Sequence, residues 1–157
     1  MYRAIVLFVV TIFSTISAGQ NQHFVDLAEY FKGENQLSRL MTYRSLLGVL
    51  QKDFDYICPD TFCEGRYKNL RVLDIACSVE STQGKLKMCA WTIAGSNFSL
   101  HEFGEFAATS DVLTCNSVMF GTDANDFVDY LGQFKERAMF EKVVGGKSLY
   151  QLLSECL

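Results

Sequence analysis

The chain has 157 residues, 49% of them hydrophobic, which is enough for one domain with a buried core. Its 14 Lys and Arg residues are outnumbered by 18 Asp and Glu residues and form no cluster. Because phosphate binding needs clustered bases, this charge pattern excludes nucleic acid as a partner and is compatible with a basic protein partner.

Residues 1–19 are predicted to be a secretory signal peptide. Arg3 provides the positive start, residues 4–13 form an apolar run, and small polar residues follow. The apolar run is about half the roughly 20 residues that a membrane span needs. We therefore expect a single globular domain over residues 20–157 that is secreted or periplasmic, with no stable membrane span after signal cleavage. That domain keeps 13 basic residues against 18 acidic ones, a formal net charge of −5.

The six cysteines all lie in the predicted mature domain: Cys58, Cys63, Cys77, Cys89, Cys115 and Cys156. An even number of cysteines behind a signal peptide predicts disulfides formed in an oxidising compartment. A zinc site is the competing interpretation of the Cys58–Cys63 spacing, but no second pair of ligands completes it. We expect no metal and no cofactor.

Two helices are predicted at the N-terminal side of the domain. Apolar residues recur at helical spacing from His23 to Lys32, and Gly33 follows where a helix would end. A longer stripe with steps of three and four residues predicts a helix over Leu37–Phe54.

The link that follows contains the candidate binding loop. Cys58 and Cys63 are close enough in sequence to close a small ring, and Pro59 favours a turn inside it. A rigid ring that displays an aromatic residue and acids could enter a partner's cleft at low entropic cost. The alternative, which the usual burial of aromatic side chains favours, is that Phe62 packs inward. The candidate binding residues are Asp55, Asp60, Phe62 and Glu64.

A β-hairpin is predicted over residues 73–94, with its turn centred on Gln83 and Gly84 supplying a positive φ. This register places Cys77 opposite Cys89, so these two cysteines are predicted to form a disulfide. It also pairs Ile75 with Trp91 and Leu73 with Ile93 on the same, buried face. With Cys58–Cys63 as the small ring, Cys115–Cys156 remains by elimination.

The rest of the chain predicts further strands and two helices. Gly95-Ser96-Asn97 indicates a turn, and Asn97-Phe98-Ser99 is an N-glycosylation sequon. A strand is expected over Val112–Phe120. A helix capped by Thr122 or Asp123 follows, and Ser148 with Gln151 predicts a capping box for a last helix over Leu149–Cys156. The fold class is therefore α+β: an antiparallel sheet of about three to five strands with helices packed on it, stapled by disulfides.

Catalytic motifs are absent from the sequence. The histidines are His23 and His101, and neither lies in a G-x-S-x-G or H-E-x-x-H motif. The leading hypothesis is an exported, non-enzymatic protein that binds a protein partner, such as an inhibitor or immunity-type partner of another exported enzyme. The alternatives are a self-associating envelope protein and a small secreted hydrolase, whose candidate carboxylates are Asp60, Glu64, Glu102 and Glu105.

Overall fold

A computed structural model describes residues 22–33, 35–60, 62–65 and 67–157, and the predicted signal peptide lies outside these residues. Within them, helices and strands are mixed, in agreement with the predicted α+β class. The elements in chain order are β1 (Phe24–Asp26), α1 (Leu27–Tyr30), α2 (Leu37–Ile57), β2 (Asn69–Glu80), β3 (Leu86–Leu100), β4 (Phe106–Val118), α3 (Ala124–Leu131), β5 (Lys142–Val144), β6 (Lys147–Ser148) and α4 (Leu149–Ser154).

The main sheet has four antiparallel strands in the order β1-β2-β3-β4, within the predicted range. Its neighbouring strands β2, β3 and β4 are joined by hairpins, so their pairing is local in sequence. A separate two-stranded sheet is formed by β5 and β6. β4 is one edge of the main sheet, and the three-residue strand β1 is the other.

The predicted cysteine hairpin is confirmed. Cys77 lies opposite Cys89 and Ile75 opposite Trp91. Gly84 adopts a φ of +66° in the turn, and a Cβ at this position would lie 2.6 Å from the Tyr30 hydroxyl. Glycine is therefore required there both by the backbone conformation and by the close approach of that side chain.

The predicted register holds from Asp74 to Ser78 and is wrong on both sides of that stretch: at the turn end Val79 lies opposite Leu86, and at the other end Leu73 is not opposite Ile93. Val72, rather than Leu73, lies opposite Ile93, because the register shifts between Val72 and Asp74. The extra residue of this bulge turns the Leu73 side chain to the other face, where it is 56% exposed.

The turn between β2 and β3 is held by the carboxylate of Glu80. This carboxylate accepts hydrogen bonds from the Thr82 hydroxyl at 2.6 Å, the Thr82 amide at 3.1 Å and the Gln83 amide. The Thr82 hydroxyl is the largest cause that lowers the pKa of Glu80 below its ordinary value, and the two amides act in the same direction.

The N-terminal prediction is only partly correct. Of the predicted helix, Phe24–Asp26 is a strand that pairs with the end of β2, and only Leu27–Tyr30 is helical. The Asp26 carboxylate accepts the Ala28 amide at 2.7 Å, which caps α1 and ends the strand. Pairing with β2 satisfies backbone groups that a short helix would leave to water.

The long helix is confirmed and continues to Ile57, three residues beyond its predicted end. It packs against β2 and α3. Its buried face includes Leu40, Tyr43, Leu46, Leu50, Phe54 and Ile57. Burial raises the pKa of the Tyr43 phenol above its ordinary value.

The caps of the two C-terminal helices are confirmed. The Asp123 carboxylate accepts the amides of Asn125 and Asp126 at the start of α3. Ser148 and Gln151 form the predicted capping box of α4. That helix ends at Ser154, two residues earlier than predicted.

The three predicted disulfides are present in the structure. Their Cα–Cα distances are 5.0 Å for Cys58–Cys63, 4.0 Å for Cys77–Cys89 and 5.8 Å for Cys115–Cys156. The last bridge joins β4 to the segment that follows α4. Three disulfides indicate an oxidising compartment.

The core lies on one face of the main sheet. Trp91, Ile93 and Cys115 point from this face into a cluster that contains residues of all the major helices. On the opposite face, side chains such as Val112 and Leu73 are more than half exposed. None of the helices in the described part of the chain has both the length and the apolar character needed to cross a membrane.

Candidate interaction surface

The predicted binding loop forms its ring, but its aromatic residue packs inward. Phe62 stacks on Phe54 with ring centroids 5.4 Å apart, and it lies 5.4 Å from the ring of Tyr150. It is partly buried against the core. Phe62 therefore fastens the ring to α2 and α4, as the alternative interpretation proposed.

The acids of that loop are not brought into one site by the described contacts. Asp55 lies at the end of α2, with its carboxylate 4.0 Å from the Arg71 guanidinium in an exposed pair. The side chains of Asp60 and Glu64 lie outside what the structure describes. The one candidate acid whose side chain the structure describes, Asp55, thus lies outside the ring and is paired with a base.

A hairpin arm that projects beyond the rest of the sheet offers a larger surface. The pairing of β2 with β3 ends at Asn69 and Ser96, whereas β3 and β4 stay paired to Leu100 and Phe106. We call residues 97–109 the arm. Its two strands have only each other as neighbours among the described strands.

This arm replaces the turn that was predicted at Gly95-Ser96-Asn97. Gly95 is paired with Leu70 and Asp111 within the sheet, and a Cβ on it would lie 2.7 Å from Cγ of Tyr67. The glycine is needed because the Tyr67 ring crosses the strand at this point. The Tyr67 hydroxyl then donates to the Asp111 carboxylate at 3.0 Å, which fastens the base of the arm to the body.

The two faces of the arm differ in chemistry. Side chains alternate along a strand, and Trp91 and Ile93 point into the core, so the even-numbered residues of β3 point away from it. In the arm these are Phe98 and Leu100, and Phe106 lies opposite Leu100. The face that continues the core side carries Asn97, Ser99, Ala107 and Thr109. We call the first the apolar face and the second the polar face.

The apolar face is unusually exposed. Phe98 is 61% exposed, Leu100 65% and Phe106 73%. Phe103, in the turn of the arm, is 93% exposed. Together these side chains present roughly 500 Å² of apolar surface, which is in the range of the largest patch on a typical monomer. Patches of this size commonly mark interaction sites.

The turn places acids beside the most exposed ring. The His101 amide donates to the Glu105 carbonyl at 2.8 Å, and Gly104 closes the turn with a φ of +84°. Glu102 and Glu105 flank Phe103 in sequence, and both are exposed. No Lys or Arg occurs between Ser96 and Val118. The arm is therefore an apolar wedge with an acidic turn.

A charged groove lies elsewhere, between α2 and the segment before β5. It has a volume of about 650 Å³ and is lined by Lys52, Asp53, Tyr56, Lys135, Glu136, Arg137 and Phe140. The Asp53 carboxylate, which is buried, accepts the Arg137 amide at 2.7 Å and the Met139 amide at 3.1 Å. Arg137 is the only residue besides glycine with a positive φ, at 63°, among the described residues. Asp53 therefore has a structural task, which is to hold this backbone turn.

In the described part of the chain, none of the histidine, thiol or metal arrangements considered from the sequence is assembled. His101 lies in the exposed turn of the arm, and no described hydrogen bond joins its ring to Ser99, Glu102 or Glu105. No group of three or more His, Cys, Asp or Glu residues in the described part is arranged to hold a metal ion. All six cysteines are bonded, which removes a thiol nucleophile.

Sequence reasoning missed the arm because its signal is weak. The five residues from His101 to Glu105 contain one glycine, whereas Gly95-Ser96-Asn97 has the composition of a turn. The usable signal was the alternation of Phe98, Leu100 and, across the turn, Phe106. It continues the period of two found in the preceding strand.

Comparisons with known proteins give no relative: no family model, no curated protein and no solved structure matches the chain.

Proposed function

We propose that this protein is an exported, non-enzymatic binding protein, and that the apolar face of its arm docks on a protein partner. The observation that carries the proposal is the exposure of Phe98, Leu100 and Phe106 on one face of a projecting hairpin, together with that of Phe103 in its turn. Docking would bury these apolar side chains, and full burial of each one contributes about 1.5–3 kcal/mol of favourable free energy.

The chemistry of the arm defines the surface that it fits. An apolar wedge with Glu102 and Glu105 beside its most exposed ring matches an apolar cleft with basic groups at its rim. The arm is held by strand pairing and anchored by the hydrogen bond between Tyr67 and Asp111. Because it is already ordered, it loses little conformational entropy on docking. These are the properties that an inhibitor of another exported enzyme needs.

The three disulfides support the export part of the proposal. They require an oxidising environment to form, and the N-terminal sequence of residues 1–19 has the pattern of a secretory signal. A partner is therefore expected in the same compartment.

The proposal is tested by capture experiments with the oxidised protein in the extracellular or periplasmic fraction of its source. Replacing Phe103 by Ser is expected to weaken binding of the captured partner about 30-fold, because truncation of a central interface aromatic typically costs about 2 kcal/mol. Tyr56→Ser is the matched control, since Tyr56 is also an aromatic residue that is 82% exposed but lies on α2.

The expected result is binding about 30-fold weaker with Phe103→Ser and unchanged with Tyr56→Ser. Equal binding by both variants, with both folded, would contradict the assignment of the arm. Turnover of a glycan or cell-wall substrate that is abolished by Glu102→Ala or Glu105→Ala would favour the hydrolase alternative instead.

A further inference from the structure

The β4 edge of the arm has a backbone pattern that can accept another strand. Paired residues of β3 and β4 have numbers that sum to 206, and the pairs made of odd numbers carry the hydrogen bonds. This follows from the bonds at the two ends of the ladder, from Met119 to Lys87 at 2.9 Å and from His101 to Glu105 at 2.8 Å. In an antiparallel ladder the residues between bonded pairs direct their N–H and C=O groups to the other side.

The outward backbone groups of β4 therefore belong to its even-numbered residues. β4 is an edge of the sheet, so no described strand pairs with them. Soluble proteins usually protect such edges with Lys, Pro or bulges, and the stretch from Ser96 to Val118 contains no Lys and no Pro.

The Asp111 side chain blocks strand pairing at the middle of this edge. Its carboxylate accepts the outward amide of Val112 at 2.8 Å and the Tyr67 hydroxyl at 3.0 Å. A strand that pairs across Val112 would have to displace that carboxylate. The open part of the edge on this side of Asp111 is thus formed by Phe106 and Ala108 of the arm and by Ser110 at its base.

We propose that an extended, basic segment of another protein adds to this open edge as a fifth strand. The inference rests on the proposed binding function and specifies how the arm is engaged. The outward N–H and C=O groups of Phe106, Ala108 and Ser110 bond the added backbone. On one side of the added strand, side chains lie beside Phe106 and the apolar face. On the other side they lie beside the polar face.

The negative charge of the arm and β4 favours a basic segment as the added strand. The arm and the rest of β4 carry three acids, Glu102, Glu105 and Asp111, and no Lys or Arg. Alternating apolar and basic residues would satisfy both the exposed rings and the carboxylates of Glu102 and Glu105. A second copy of the chain is a poorer fit, because its arm brings the same acids and no base.

The test uses a displayed library of random 12-residue peptides selected on the oxidised wild-type protein. Ala108→Pro removes the outward amide at the centre of the site, while the proline ring is tolerated where the N–H faces solvent. Thr114→Pro is the matched control, because it removes an outward amide of the same strand beyond Asp111. Near-ultraviolet circular dichroism establishes that both variants are folded.

The expected result is a set of peptides with alternating apolar and basic residues that bind wild type and Thr114→Pro equally. They should bind Ala108→Pro at least tenfold more weakly. On the unmodified protein they should slow hydrogen exchange of the amides of Phe106, Ala108 and Ser110, a readout that does not depend on how the variants fold.

Three results would overturn the inference: no enriched peptide, equal binding by Ala108→Pro, or a dimer of the protein alone in which these amides are protected. The two proposals fail separately. If a captured partner is lost with Phe103→Ser but kept with Ala108→Pro, the arm binds by its rings and strand addition is wrong. If peptides add to the edge but Phe103→Ser leaves partner capture unchanged, the docking proposal is wrong.

Discussion

Removing the Cys77–Cys89 disulfide is expected to lower the free energy of unfolding by about 3 kcal/mol. The estimate uses the sequence separation of 12 residues and the entropy that the bridge removes from the unfolded chain. Alanine is the suitable replacement at both positions, because the two side chains are only 3% and 1% exposed and serine would bury hydroxyl groups.

The Cys115–Cys156 bridge provides an internal comparison. Its separation of 41 residues predicts a larger loss, about 4 kcal/mol, when both of its cysteines are replaced by alanine. Either loss is a large part of the roughly 5–15 kcal/mol by which domains are usually stable. Urea unfolding followed by circular dichroism gives the free energies for wild type and both variants.

The reasoning would be refuted by a loss below about 1 kcal/mol for the Cys77/Cys89 variant, since the chain-entropy model allows no such small value at this separation. A larger loss for that variant than for the Cys115/Cys156 variant would refute the ranking by loop length.

Three further predictions concern single side chains. Asp53→Ala should lower the free energy of unfolding by about 2–4 kcal/mol, because two backbone amides lose their acceptor, whereas Asp53→Asn, which keeps an acceptor oxygen, should lose less; urea unfolding of both variants checks this. Gly95→Ala should cost about 1–3 kcal/mol in a thermal or urea melt, because the new methyl group would overlap the Tyr67 ring. The pKa of Glu80 is lower in the folded protein than in the unfolded chain, so its stabilising effect is present above the ordinary pKa near 4.5 and is lost as the pH falls through the folded value. The stability difference between wild type and Glu80→Gln should therefore be largest above pH 5 and shrink below about 4.5, and a difference that is constant from pH 7 to pH 3 would contradict this.

The hairpin could be predicted because its information is local. Alternation of side chains, one glycine and two cysteines determine the pairing of Cys77 with Cys89. The bulge at Leu73 could not be predicted in the same way, because nothing in the residue pattern marks where an extra residue enters a strand.

The N-terminal strand was missed because its partner is distant in the chain. Phe24 pairs with Glu80, and no local pattern reports that contact. Phe24, Leu27 and Phe31 fit a helical stripe equally well, and tertiary pairing decided between the two structures.

The candidate interaction surface lies in a different loop from the one that the sequence analysis singled out. Display of an aromatic residue among acids was one of two interpretations of Phe62, and the structure agrees with the other, because that ring stacks on Phe54. The same combination occurs at Phe103 between Glu102 and Glu105. Sequence alone could not distinguish the two loops, because exposure depends on what the rest of the fold places beside each ring.

The most direct test of the arm as the docking surface is site-specific photocrosslinking. A benzoylphenylalanine is placed at Phe103 in one variant and at Tyr56 in another, and each oxidised protein is irradiated in its native compartment. We predict one discrete crosslinked partner from position 103 that is absent from position 56. The same crosslinked proteins from both positions, or none from position 103, would contradict the account.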